Sequence, residues 1–183
     1  MPVIDLGVML TNLKNTFGSL ERLIGAFSYI AGIVLIARAL FLFKAMGEHP
    51  GQGQKGELAG PIVALSVGAV LLYLPSSISM SLNTIFSSTS LGTASELFSY
   101  TSTGDVVNWQ EMADVLVSYM KILGLIAFVR GWIMISKVGH SQGQPGQLSK
   151  GVVHIISGIL LINIIDTLKI LGTTFGFVGF SAG

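Results

Sequence analysis

Four runs of apolar residues, at 23–46, 61–80, 115–136 and 152–171, constrain any fold this chain adopts. Each is close to the ~20 residues that carry a helix across ~30 Å of hydrocarbon. Backbone in lipid has no water to bond, so a spanning segment must satisfy its own N–H and C=O groups as a helix or in a closed barrel. The sequence has no ten-residue alternating pattern of the barrel type. The expected fold class is therefore an all-α membrane protein with four transmembrane helices. Composition points the same way, with 51% hydrophobic and 10% charged residues against about 25% charge in a soluble domain. Cysteine is absent, which excludes disulfides, a thiolate nucleophile and thiolate metal sites.

The chain also repeats itself. An offset of 92 residues aligns Gly32 with Gly124, Arg38 with Arg130, Ala39 with Gly131 and Gly47 with Gly139. Beyond a two-residue deletion the offset becomes 90, aligning Gln52, Gly53 and Gln54 with Gln142, Gly143 and Gln144, then Gly56 with Gly146, Leu58 with Leu148, Val63 with Val153 and Gly68 with Gly158. The repeated unit is a helix, a glycine-rich loop and a helix. Two spans bring the chain back to its starting side, so the copies are parallel repeats; inverted repeats need an odd number of spans. Both loops then face one compartment. Lys44, Lys55, Lys137, Lys150, Arg38 and Arg130 lie on the loop side, against Lys14, Arg22, Lys121 and Lys169 on the other, which also holds most of the carboxylates. The positive-inside rule makes the loops cytoplasmic and places both termini and the central connection outside.

This organisation divides the chain into an N-terminal amphipathic segment (1–22), a first hairpin (23–82), a Ser/Thr-rich outer linker (83–114), a second hairpin (115–172) and a tail (173–183). In the first segment Val3, Leu6, Leu10, Leu13, Phe17, Leu20 and Ile24 recur at alternating steps of three and four, one apolar stripe on a helix. Such a stripe beside a membrane lies on the outer leaflet or packs on a neighbouring subunit. The N-terminus lacks the basic start and short apolar core of a cleaved signal peptide, so the first span reads as an uncleaved anchor. Trp109, just ahead of the third span, marks the interface.

Few residues offer chemistry. Arg38 and Arg130 each stand eight or nine positions, roughly 12 Å of helix, before the glycine that opens their loop. A charge at that depth costs at least ~2.5 kcal/mol at a helix centre unless it snorkels or is paired. Counting from the loops sets Gly68 near the depth of Arg38 and Gly158 near that of Arg130, leaving room for each guanidinium. Gly25, Gly32 and Ala39 are spaced by seven, Gly124 and Gly131 likewise, and Gly60, Ala64 and Gly68 by four, spacings that let helices approach closely in lipid. Lys121 and Asp166 stand at similar depth, as an ion pair across the second hairpin or as interfacial anchors. His154, in place of Ala64 of the first copy, reads as a hydrogen-bonded histidine, and three histidines without a carboxylate cluster make no metal site. The loop "GQGQKG" lacks the P-loop pattern. No catalytic set is expected, and no cofactor beyond bound phospholipid.

Two tandem hairpins with basic glycine-rich cytoplasmic loops and outer ends resemble the hairpin of type IV secretion pilins. With "SQGQPG"-type loops, the chain from about residue 23 to 171 resembles the IcmC/DotE family of type IVB (Dot/Icm) secretion systems and their TraQ-like conjugative relatives. The resemblance implies a non-enzymatic component of a secretion or conjugation machine in a bacterial inner membrane. Assembled like a pilin, it would extend into an extracellular filament. It also implies that Lys44, Lys55, Lys137 and Lys150 face a lumen or lipid headgroups. The chain departs from ordinary pilins in being duplicated and in lacking a long leader. Expected partners are membrane lipid and further copies or other secretion subunits, with no sequence-specific nucleic-acid binding. A small channel or transporter built from duplicated hairpins, and an assembly factor for another membrane protein, are the competing expectations.

Overall fold

The computed structural model describes residues 6–48, 58–87, 109–138 and 146–176, and all of its elements are helices. In chain order they are α1 (Leu6–Glu48), α2 (Ala59–Leu72), α3 (Leu74–Phe86), α4 (Trp109–Ser136), α5 (Gln147–Ile162) and α6 (Ile164–Thr174). Within these, 7–48 and 112–136 are long and apolar enough to cross a membrane, and each of the pairs α2/α3 and α5/α6 adds a crossing if it is counted as one bent span.

α1 runs 43 residues, about 64 Å at 1.5 Å per residue. It contains no proline, and its glycines are isolated, each costing about 1 kcal/mol relative to Ala. The expected amphipathic segment and the first apolar run form one continuous helix: residues 6–22 are the first turns of α1. Leu10 is buried and Phe17 packs against Tyr119 of α4 with ring centroids 6.1 Å apart and the rings tilted by 41°, whereas Leu13 and Leu20 remain exposed. The stripe is a seam, and it is made with the chain's own α4.

The second and fourth apolar runs, expected as continuous helices, are each broken. α2 and α3 meet at 94° around Tyr73, and α5 and α6 at 94° around Asn163. The break falls at the same register of the repeat, since Tyr73 and Asn163 are 90 residues apart. Their backbones are alike, with φ −103° and ψ 43° at Tyr73 and φ −115° and ψ 60° at Asn163. Beyond each break a hydroxyl reaches back: Ser77 Oγ donates to the Val70 carbonyl at 3.0 Å and Thr167 Oγ1 to the Leu160 carbonyl at 2.9 Å. In an unbroken helix those carbonyls would accept the N–H groups of Leu74 and Ile164.

α1 packs antiparallel on α2, α4 packs antiparallel on α5, and the two hairpins meet chiefly along α1 and α4. Lys14 pairs with Asp114 at 3.4 Å and Glu21 with Lys121 at 2.9 Å, so α1 and α4 run parallel, as direct repeats require. The main core lies between the repeats. Leu74 and Leu82 of α3 are buried against Leu125 and Phe128 of α4 and Ile159 and Ile162 of α5. A smaller cluster joins Ala113 of α4 to Ile165 of α6.

Candidate functional site

The repeated glycines are where the hairpins close. A Cβ on Gly32 would lie 2.8 Å from the Gly68 carbonyl oxygen and 2.9 Å from the Leu72 nitrogen. The second copy repeats the contact, with 2.7 Å from Gly124 to both the Gly158 oxygen and the Ile162 nitrogen. It adds another, Gly131 against the Gly151 oxygen at 2.8 Å, at the register where the first copy has fully buried Ala39. Backbone therefore touches backbone, leaving no volume for a side chain. Gly60 is buried near the start of α2, while Gly25 has open space around it.

These contacts correct the expected depth of the second helices. Gly68 faces Gly32 and Ile36, and Gly158 faces Gly124 and Phe128, so neither glycine makes room for an arginine. They are also spent inside each hairpin, whereas Gly18 and Gly25 on α1 have open space around them. Arg38 and Arg130 are both exposed, each one residue before a buried small residue, Ala39 or Gly131. The same register that buries the small residue turns the guanidinium outward. Among the described residues neither has an ion-pair partner. Lys44 makes an exposed i,i+4 pair with Glu48 at 3.7 Å, and Lys137 and Lys150 are exposed. Lys55 lies outside the described residues, as does the side chain of Trp109.

The expected ion pair between Lys121 and Asp166 is not formed. Lys121 is paired with Glu21 of the other hairpin, while Asp166 accepts from Asn163 Nδ2 at 2.6 Å and pairs with Lys169 at 3.6 Å. Asp166 is instead held locally, by Asn163 at the break and Lys169 one turn on. His154 Nδ1 donates to the Lys150 carbonyl at 2.8 Å, the local bond expected of it. Among the described residues no three His, Cys, Asp or Glu side chains come together as a metal site. Between the N-terminal ends of α1 and α4 an open apolar groove of about 570 Å³ is lined by Leu10, Leu13, Phe17, Met112, Leu116 and Tyr119.

No family model, curated protein or solved structure matches the chain.

What residue-by-residue reading missed is the polar chemistry of the breaks. Pro75 sits in the first turn of α3 and has no N–H for the Leu71 carbonyl. That carbonyl accepts instead from Ser28 Oγ of α1 at 3.1 Å, in a fully buried bond. The second copy has Ile165, with its N–H intact, and Met120 where the first has Ser28. Asn163 is buried, and its Oδ1 has no protein partner. The available signal was the pairing of Ser77 with Thr167 in the repeat, read together with Pro75 and Asn163 inside otherwise apolar runs.

Proposed function

We propose that this chain is a structural, non-enzymatic membrane subunit, its two hairpins serving as rigid packing units in a larger membrane assembly. The observation that carries the reading is the duplication of a glycine-sealed hairpin. Gly32 on Gly68 and Gly124 on Gly158 are the same backbone contact made twice. The break beyond each hairpin is copied with them. What the chain reproduces is a way of packing, and the conspicuous charges, Arg38 and Arg130, point away from the hairpins they belong to.

The resemblance of the loops and topology to IcmC/DotE-like proteins supplies the proposed setting, a type IVB secretion or conjugation apparatus in a bacterial inner membrane. There each bent pair completes one crossing, the loops are cytoplasmic and both termini are periplasmic. Partners are lipid, other copies and other subunits of the apparatus. The test is an affinity-tagged chain expressed in its own bacterium from the native locus, together with a deletion strain. Co-purification of other membrane subunits and loss of cargo transfer on deletion are expected. A chain that purifies alone, and whose loss leaves transfer intact, overturns the reading.

One observation favours a channel or transporter instead. Discontinuous helices in corresponding positions of two repeats are the usual place for a transport site, and the breaks at Tyr73 and Asn163 are such a pair. Solute or ion flux through purified chain in liposomes, abolished by Asn163→Ala, would decide for it.

A further inference from the structure

The two repeats share their packing and differ in their charge. Between 115 and 165 the second repeat has no acidic residue, yet it carries Lys121, Arg130, Lys137 and Lys150. Lys121 is neutralised by Glu21 of the first hairpin. The first repeat sets Glu48 and Glu57 among its loop-side cations, and at the matching positions the second has His140 and Gln147. The second also has Lys137 where the first has Ala45, and Lys150 and His154 where it has Gly60 and Ala64. Duplication accounts for what the copies share. A charge excess confined to one of them needs another cause.

The fold gathers this excess on one face. A Cβ on Gly131 would lie 2.8 Å from the Gly151 oxygen, and one on Gly151 3.0 Å from the Gly131 oxygen, so these two positions look directly at each other across α4 and α5. In an antiparallel pair, the residues just before two facing positions turn to the same side. Here they are Arg130 and Lys150, both exposed. Lys137, also exposed, follows Arg130 by two turns on α4, and His154 follows Lys150 by one turn on α5, with its ring bonded to the Lys150 carbonyl. Nine residues, two and a half turns, separate Lys121 from Arg130, which sets them on opposite sides of α4. The first hairpin, held through Lys121, is therefore on the far side. Among the described residues no carboxylate pairs with Arg130, Lys137 or Lys150. The start of α5 adds to the same sign, since its N-cap Gly146 supplies no side-chain acceptor and its first turn no acid.

We infer that this face of the second hairpin binds the phosphate of an anionic phospholipid from the loop-side leaflet. Arg130 stands inside an apolar run, where a charge needs a counter-charge at its own depth. Phosphate is the anion the membrane itself supplies on that side, and basic faces between spanning helices hold such headgroups. On the same face of α4, one and two turns from Arg130 away from the loop, Ile126 and Leu123 are 48% and 37% exposed. A phospholipid matches both parts, its phosphate at the cations and an acyl chain along the apolar strip. A partner's carboxylate or a free phosphate would answer the charge alone. The first hairpin, with Arg38 beside Gly60 and Ala64, has no equivalent site.

The inference goes beyond the proposed function, because a lipid site of this kind fits a channel as well as a structural subunit. Its test is native mass spectrometry of the full-length chain in detergent, titrated with phosphatidylglycerol, with phosphatidylethanolamine of the same acyl chains, and with inorganic phosphate. Preferential retention of phosphatidylglycerol is expected. Arg130→Gln and Lys150→Gln are each expected to weaken it about fivefold, with helical content unchanged by circular dichroism. Lys150 is exposed in the first turn of α5, so its variant leaves α4 intact and keeps the test decisive if Arg130→Gln fails to fold. Arg38→Gln, at the corresponding position of the first repeat, is expected to leave retention unchanged. Equal retention of the two lipids, or equal loss from Arg38→Gln, overturns the inference. Displacement of phosphatidylglycerol by inorganic phosphate would assign the site to a soluble anion and overturns the lipid source. Undiminished lipid retention by Arg130→Gln, with loss of a co-purifying acidic protein, would assign the face to that partner instead.

Discussion

Ser28 and Pro75 illustrate how one residue's deficit is met by another far away in sequence. The proline withholds an N–H from the Leu71 carbonyl, and a buried hydroxyl 43 residues earlier supplies the missing donor. Ser28→Ala is expected to leave that carbonyl unsatisfied and to destabilise the first hairpin by about 1–3 kcal/mol, read as a lower unfolding midpoint in detergent. The glycines make a sharper contrast. Gly124→Ala places a methyl group 2.7 Å from backbone atoms of α5, which cannot move aside as a flexible side chain would, and about 1–3 kcal/mol of strain is expected. Gly25→Ala meets nothing within 4 Å and is expected to be neutral or to stabilise by up to about 1 kcal/mol through helix propensity. Equal losses at the two sites would contradict the close packing described. That small residues mattered was legible from their spacing. Which of them touched backbone was not, because spacing defines a face and says nothing about what lies opposite.

The breaks are the elements that hydropathy alone concealed. Averaged over a window, 61–80 and 152–171 are apolar throughout, and an apolar run has no reason of its own to turn through 94°. Pro75 is not the common cause, since the second copy bends equally with Ile165 at that position. What both copies share is a hydroxyl seven residues beyond the carbonyl it caps. Pro75→Ala is therefore expected to keep the first bend. Thr167→Val, which deletes the hydroxyl at nearly constant volume, is expected to straighten or loosen the second. Spin labels on exposed sites of α5 and α6 would report this as a longer or broader distance distribution, and an unchanged one would show that the hydroxyl only follows the bend. The arginines belong to this scale as well, because each marks the same turn of a long helix. If Arg38 and Arg130 make forked contacts in the assembly, Arg→Lys at both is expected to insert normally and impair transfer, since a lysine lacks the planar fork. Wild-type transfer by the double variant would reduce them to markers of depth.

Across the whole molecule the next quantity to measure is orientation. Single cysteines at Gln54 and Gln144 are expected to be protected from an impermeant maleimide in intact spheroplasts, while one at Ser88 is labelled; the reverse pattern would turn the protein over. The helical class, the apolar runs, the direct repeat with its two offsets, and the parallel course of α1 and α4 all followed from the sequence. Hydrophobic length and internal identity are properties of the chain taken one residue at a time, and in lipid the backbone has few other ways to satisfy itself. Tertiary structure alone decided that Lys121 pairs with Glu21 rather than Asp166, that Gly68 meets Gly32 rather than the depth of Arg38, and that the first turns of α1 pack on α4. Each of these depends on how far one helix is slid along its neighbour. That slide is set by the sum of many side-chain contacts between the repeats, and no single residue or spacing records it.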